Sequence, residues 1–212
     1  MKSLKSGLID LNKHLITRGK LDTFILSEKL SGFSLEVGAS GTRYDSIFEK
    51  VIKLNIIKTA GVWAIGDAHK LPFKNESFDN VAAFEVLEHL TNPQNAVAEF
   101  YRVLKKGGML ILSARFLFPI HDAPYDYFRF TKYGLRELLK DFKEVEIRSI
   151  DLPMEALLSQ KSRLSFEKSI PAFLRAINFA ICIMSYPLVK ICARLLQSDF
   201  ATSGYYVKAR KK

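Results

Sequence analysis

The chain has 212 residues, 48% of them hydrophobic and 25% charged, which excludes a disordered polymer and fits one domain of about 150 residues with appendages. Its formal net charge of +10 predicts affinity for something anionic, but charge alone does not choose among nucleic acid, a phospholipid surface and a phosphorylated substrate. The two cysteines, Cys182 and Cys192, lie in apolar runs and signal neither a disulfide framework nor a zinc site, so a reducing, cytoplasmic setting is the default and no metal is expected.

In chain order, the opening MKSLKSGLIDLNKHLITRGK is basic, and Asp10, Asn12 and Lys13 interrupt its apolar residues, so export is not predicted. Leu4 to Leu30 carry apolar positions at helical spacing with Gly19 as a break, which predicts a helical cap over residues 1–32. From Phe33 short strands alternate with helices, the pattern of a doubly wound α/β fold with a largely parallel sheet. Strands are expected at Ser34 to Val37, Val51 to Ile56, Val62 to Ile65, Asn80 to Phe84 and Met109 to Ala114, with a short helix at Tyr44 to Glu49 and a longer one at Pro93 to Leu104. A helix from Lys132 to Asp141, capped by Thr131, leads to a strand at Glu144 to Ile150, and the last strand is Tyr205 to Ala209. The core is thus 33–150 with 204–212.

Residues 151–203 are too long and too apolar for a loop, and are expected to form a helical insertion. Within it, Ala172 to Tyr186 is apolar nearly all round, with Pro187 as the stop. That length falls short of the ~20 residues needed to cross a bilayer, so a lid, a peripheral membrane contact through 170–196 or a dimer interface are the readings.

Four motifs follow one another in the core: LEVGASGT at 35–42, GDAHKLPF at 66–73, SFDNVAAFEVLEHL at 77–90 and RVLKKGGMLILSA at 102–114. Their order and spacing resemble the class I S-adenosylmethionine-dependent methyltransferases. The run HDAPYDYFRFTKYGL at 121–135 is similar to a bacterial subgroup that methylates small molecules. The resemblance implies a Rossmann-like seven-stranded sheet with an antiparallel last strand, S-adenosylmethionine as cofactor and a small, lipid-like or sugar-like acceptor. It also implies roles: Glu36 toward the cofactor ammonium, Gly38, Ser40 and Ala68 as close-approaching backbone, Asn55 at the ribose, Asp67 at the adenine and Glu85 beside the sulfonium.

The chemistry of the ligand agrees with these residue types. An ammonium and two ribose hydroxyls need acceptors at strand ends, whereas a carboxylate at Glu36 is a poor neighbour for the pyrophosphate of a dinucleotide. Three positions depart from the family pattern: Ser40 and Thr42 replace glycines, and Asn55 stands where a carboxylate is usual. Asparagine exchanges charge-assisted bonds for neutral ones, worth roughly a tenfold loss of affinity. Past strand five, Arg115, His121, Tyr125, Tyr127 and Arg129 crowd among aromatics and suit a substrate pocket, with His121 as candidate base because its ordinary pKa lies near neutrality. The base-methylase tetrapeptide, Asn or Asp followed by Pro-Pro-aromatic, is absent and the basic residues are scattered, so a nucleic-acid substrate is not predicted. The competing reading is a binding protein that retains the fold but has lost catalysis.

Overall fold

A computed structural model describes residues 18–195 and 198–212. The helical periodicity of Leu4 to Leu15 therefore lies outside the described residues. Seven strands, β1 (Leu30–Val37), β2 (Phe48–Asn55), β3 (Ala64–Ile65), β4 (Phe78–Phe84), β5 (Leu104–Arg115), β6 (Phe142–Ser149) and β7 (Gly204–Lys211), form one sheet in the order β3-β2-β1-β4-β5-β7-β6. β2, β1, β4 and β5 are mutually parallel, and the sheet is mixed at its last strands. The chain falls into two compact units: a sheet unit of Phe24–Phe116, Ile120–Arg148 and Tyr205–Lys212, and a helical unit that includes Leu117–Pro119 and Ser149–Gly204.

In the sheet unit, Leu35, Val81 and Leu110 stand in register on β1, β4 and β5 and are each fully buried. Such unbroken apolar runs are what a parallel strand covered on both faces requires. Helix α1 spans Gly19–Leu26 and α2 spans Pro93–Val103; α2 starts on Asn92, whose side chain accepts from the Asn95 amide, with Pro93 in the first turn. Ala96, Phe100 and Val103 on α2 are buried in the core. Helix α3, Lys132–Leu138, is capped by the Thr131 hydroxyl, which accepts from the Gly134 amide, and ends short of Asp141.

Two local expectations are corrected. Instead of a helix over Tyr44 to Glu49 there is a single tight turn at Asp45–Ile47, because Phe48 already pairs with Leu30 as the first residue of β2. β5 begins at Leu104 rather than Met109: Gly107, at φ 72°, sits in an irregular stretch of register that lets the strand continue through two glycines.

The helical unit holds α4 (Pro153–Arg163) and α5 (Ala172–Leu195). Pro187 does not stop α5, which runs 24 residues. A proline removes one hydrogen bond, to the carbonyl of Ile183, at a cost of about 3 kcal/mol. The favourable helix on both sides, and packing on α4, outweigh that cost: Asn178 Nδ2 donates to the Lys161 carbonyl at 2.9 Å, Lys190 meets Glu155 at 3.0 Å, and Cys182 and Ala193 are buried. At 24 residues the helix is about 36 Å long, so the argument from length against crossing a bilayer falls.

Candidate functional site

Parallel strands that end on one edge gather their last residues around a shared crevice. Here a cleft of about 560 Å³ opens beyond β1, β2 and β4, and Gly38, Asn55, Asp67, Ala68, Glu85 and His89 line it together with Val86, Leu90 and Tyr125. Gly38 has φ 72°, and a Cβ there would lie 2.5 Å from Val86 Cγ2. Only glycine lets backbone form the cleft wall at this point.

The loop after β1 is tethered from β2. Lys53, buried on β2 beside Glu36, is ion-paired with Asp45 and donates to the Gly41 carbonyl at 2.8 Å. Asn55 Nδ2 donates to the Ala39 carbonyl at 2.8 Å while its Oδ1 accepts from the Ile56 amide at 2.7 Å. Its amide therefore staples two loops and keeps one donor hydrogen and one acceptor lone pair for a ligand. Glu36 is buried at 7% exposure and is not on the cleft wall. Burial pushes its carboxyl up to about 7, with Lys53 opposing and Asp45 adding to the rise. Ser40 is exposed and also off the wall. Asp67 accepts from the His69 amide at 2.8 Å and faces His69 Nδ1 at 2.6 Å, and these bonds hold its carboxyl below the ordinary range. His69 Nε2 accepts from the Asn92 amide, which fixes the proton on Nδ1 and points the ring at Asp67. His69 was not singled out from the sequence, although it stands inside GDAHKLPF.

At the β4 end, Glu85 adopts φ 56°, an unusual value for a residue with a side chain. Its amide is bonded to the Ser113 carbonyl at 3.0 Å, which helps hold the strained backbone. Its carboxylate is ion-paired with Arg115. Arg115, expected in the substrate pocket, is 3% exposed and absent from the cleft wall. Arg129 is likewise committed, in a two-pronged pair with Asp126 (2.6 and 2.7 Å), which holds the Asp126 carboxyl well below its usual range. Of the remaining expected substrate residues, Tyr125 is 65% exposed and lines the cleft, while Tyr127 is 44% exposed.

The His121 amide donates to Asp126 Oδ2 at 2.8 Å, and its Nδ1 lies 3.2 Å from the same oxygen. Burial pushes the imidazole below its ordinary pKa despite Asp126, so the ring is neutral near pH 7. The His121 and His89 rings meet edge to face at 4.8 Å. The loop that carries His121 is strapped to the turn after β4, where the Glu88 carbonyl accepts from the Tyr127 and Phe128 amides at 2.8 and 3.2 Å. Glu88 itself is fully buried, and neither carboxylate oxygen has a hydrogen-bond partner. Burial pushes its carboxyl up to about 8; its own backbone opposes the rise, Glu85 adds to it, and Arg115 and Arg129 oppose it.

Residues 42–112 match the family model described as a methyltransferase domain. Over 98% of its length the chain superposes on 96% of a SAM-dependent methyltransferase from Thermotoga maritima, with a TM-score of 0.62 at 17% identity. In fold and motif the chain is similar to the class I S-adenosylmethionine-dependent methyltransferases. A stretch of 135 residues, 56% of this chain, is 29% identical to an uncharacterized protein of Methanocaldococcus jannaschii and covers 66% of it. A shorter stretch of 50 residues, 24% of the chain, is 46% identical to the ubiquinone/menaquinone biosynthesis C-methyltransferase UbiE of Ruegeria sp., of which it covers 20%. The chain thus spans between a fifth and two thirds of the curated relatives it matches. A phosphoethanolamine N-methyltransferase 2 of Haemonchus contortus, solved with S-adenosylmethionine, superposes with a TM-score of 0.56 at 17% identity, 97% of this chain against 57% of that one.

The cleft fits S-adenosylmethionine, the cofactor of the proteins this chain is similar to. The cradle at Gly38, which a Cβ would fill, admits a ligand against bare backbone, and Asn55, Asp67 and Ala68 line the wall as nucleoside ligation requires. Glu36 lies one residue behind the wall, buried, with Lys53 beside it.

Proposed function

We propose that this chain transfers the methyl group of S-adenosylmethionine to a small, lipid-like acceptor, and does so on the cytoplasmic face of a membrane. The observation that carries the reading is the single cleft on which Gly38, Asn55, Asp67 and Glu85 converge from β1, β2, the segment after β3, and β4. When bound, the cofactor supplies an electrophilic methyl on a sulfonium, and transfer is an in-line displacement in which the protein mainly aligns the partners. Glu36 neutralises the ammonium, Asn55 and Asp67 hold the nucleoside, and Glu85 stands on the sulfonium side. Where the acceptor offers a hydroxyl, the neutral imidazole of His121, turned by Asp126, accepts its proton. The named chemistry of the UbiE and phosphoethanolamine relatives supports a small-molecule acceptor.

The lipid-like acceptor and the membrane rest on α5. Phe173, Leu174, Ile177, Ile181, Met184, Leu188, Ile191 and Leu195 recur every three or four residues and are each at least 45% exposed. This is a continuous apolar stripe on the side opposite Cys182 and Ala193. Arg194, exposed near the helix end, suits anionic headgroups. A helix tied to α4 by Asn178 and Lys190 and bare on its other side lies in the interface rather than across it.

Calorimetric titration with S-adenosylmethionine, followed by mass spectrometry of extracted lipids incubated with enzyme and cofactor, tests the activity. Millimolar nucleoside without heat would sink the enzyme and leave a binding protein on a methyltransferase fold. Co-sedimentation with anionic liposomes tests the surface, and failure to pellet at low salt would rule against it.

A further inference from the structure

Glu88, His89 and His121 each bring one ligand atom to within 4.8 Å of the others. These atoms come from the turn after β4 and from the loop beyond β5, which the Glu88 carbonyl straps together. We propose that the three side chains bind one divalent transition-metal ion at the β4 end of the cleft. Ion binding by itself does not depend on the methyltransferase reading, but the chemical use suggested below rests on it.

Three features carry the inference. The first is Glu88, fully buried with both carboxylate oxygens unpartnered. A buried carboxylate without donors is costly unless a proton or a cation completes it. The second is the state of the imidazoles. His89 Nδ1 lies 2.6 Å from the Tyr125 carbonyl, which only accepts, so Nδ1 carries the proton and Nε2 keeps its lone pair for a ligand. His121 Nδ1 lies 3.2 Å from the Asp126 carboxylate, which Arg129 holds in turn, so a carboxylate stands beside this ring. A carbonyl or carboxylate behind each imidazole is the outer arrangement that orients metal-binding histidines.

The third feature is the guanidinium groups: Arg115 pairs with Glu85 and Arg129 with Asp126, and neither bonds a Glu88 oxygen, which leaves those oxygens to a proton or a cation.

The donor set, two imidazoles and one carboxylate, suits Zn²⁺, Fe²⁺, Co²⁺ or Mn²⁺ and is poorly matched to Mg²⁺ or Ca²⁺, which prefer oxygen ligands. Three ligands leave open positions. An ion there lowers the pKa of a hydroxyl brought against it. Where the ion is bound, His121 would be a ligand and the proton of such a hydroxyl would go to solvent; the proton-acceptor role proposed for His121 belongs to the ion-free site.

Co²⁺ tests the site. Full-length, tag-free protein is dialysed against chelator and titrated with Co²⁺, read by visible absorption and by calorimetry. S-adenosylhomocysteine binding is measured on the same preparation. The expected result is one ion per chain with an intense four- or five-coordinate spectrum, and at least a tenfold loss of Co²⁺ affinity in both Glu88→Gln and His121→Asn, each checked for folding by circular dichroism. The wild-type spectrum decides even if a variant fails to fold. No binding below about 1 mM Co²⁺, or affinity undiminished in both folded variants, overturns the site. A chain that binds S-adenosylhomocysteine but no Co²⁺ loses only the metal; one that binds Co²⁺ but no nucleoside loses only the methyltransferase reading.

Discussion

The ends of β1 and β4 each present a buried glutamate, and the two are completed differently. Glu36 sits beside Lys53, and burial lifts its carboxyl to about 7; Glu88 has no donor on either oxygen, and burial lifts it to about 8. On the proposed function, the β1 end meets a ligand cation that is present only when the cofactor is bound. The β4 end is backed by two imidazoles, His89 against the Tyr125 carbonyl and His121 beside Asp126. That reading gives binding to one end and chemistry to the other, so substitutions should separate cofactor affinity from turnover.

The largest effect is expected at the β4 end. His121→Ala should lower kcat by about 10²–10⁴-fold, the usual worth of a positioned proton acceptor, while the Kd for S-adenosylhomocysteine stays within about threefold. Turnover near wild type would end the role of His121 in chemistry. At the β1 end the reverse is expected. Gly38→Val forces a side chain into φ 72° and onto Val86, so cofactor affinity should fall at least about 100-fold, with a lower Tm. Calorimetry and a thermal melt measure both, and unchanged affinity would remove the Gly38 cradle from the site.

Much of this division was legible in the residues. The strand-and-helix alternation gave the sheet, and the strand-end positions Gly38, Asn55, Asp67 and Glu85 meet in one cleft. What was hidden is tertiary. Arg115 read as a substrate group because sequence shows residue type but not partner, and Glu85 claims it in space; for Arg129, pairing with Asp126 three residues away was one of two readings the sequence left open. Glu88 and His89 adjoin in sequence, but His121 arrives from a distant loop, so no ligand spacing announced the cluster. The run of α5 through Pro187 was missed because a local rule for helix ends cannot weigh the packing of Asn178, Cys182 and Lys190 on α4.

Glu36→Gln should weaken S-adenosylhomocysteine by about 10- to 100-fold, the range for a lost charge-assisted bond. The pH dependence sharpens the test. The folded carboxyl titrates near 7 against 4.5 unfolded, so the folded chain holds the proton more tightly. Its contribution to stability is present below pH 4.5 and declines as pH rises toward 7. Ligand binding runs the other way: ionised Glu36 is needed, so affinity should rise between pH 6 and about 7.5, then fall as the ligand's amino group loses its proton near pH 8. In Glu36→Gln the rising limb should vanish. A flat wild-type profile would detach Glu36 from the ammonium.

The smallest effect is expected at Asn55, and it tests whether a departure from the family pattern is a defect. From sequence alone, Asn55→Asp restores a charged ribose acceptor and should gain roughly tenfold in affinity. The structure changes that expectation, because Asn55 Nδ2 donates to the Ala39 carbonyl at 2.8 Å and a carboxylate has no hydrogen to give. Aspartate would place its oxygen against that carbonyl and loosen the loop that leads to Ser40 and Gly41. The expected outcome is a gain of less than about tenfold in cofactor affinity, set against a loss of about 1 kcal/mol in stability. Calorimetry beside urea melts reads both quantities on one protein. A full tenfold gain with unchanged stability would mean that the staple contributes nothing, and that Asn55 is only a weakened copy of the usual carboxylate.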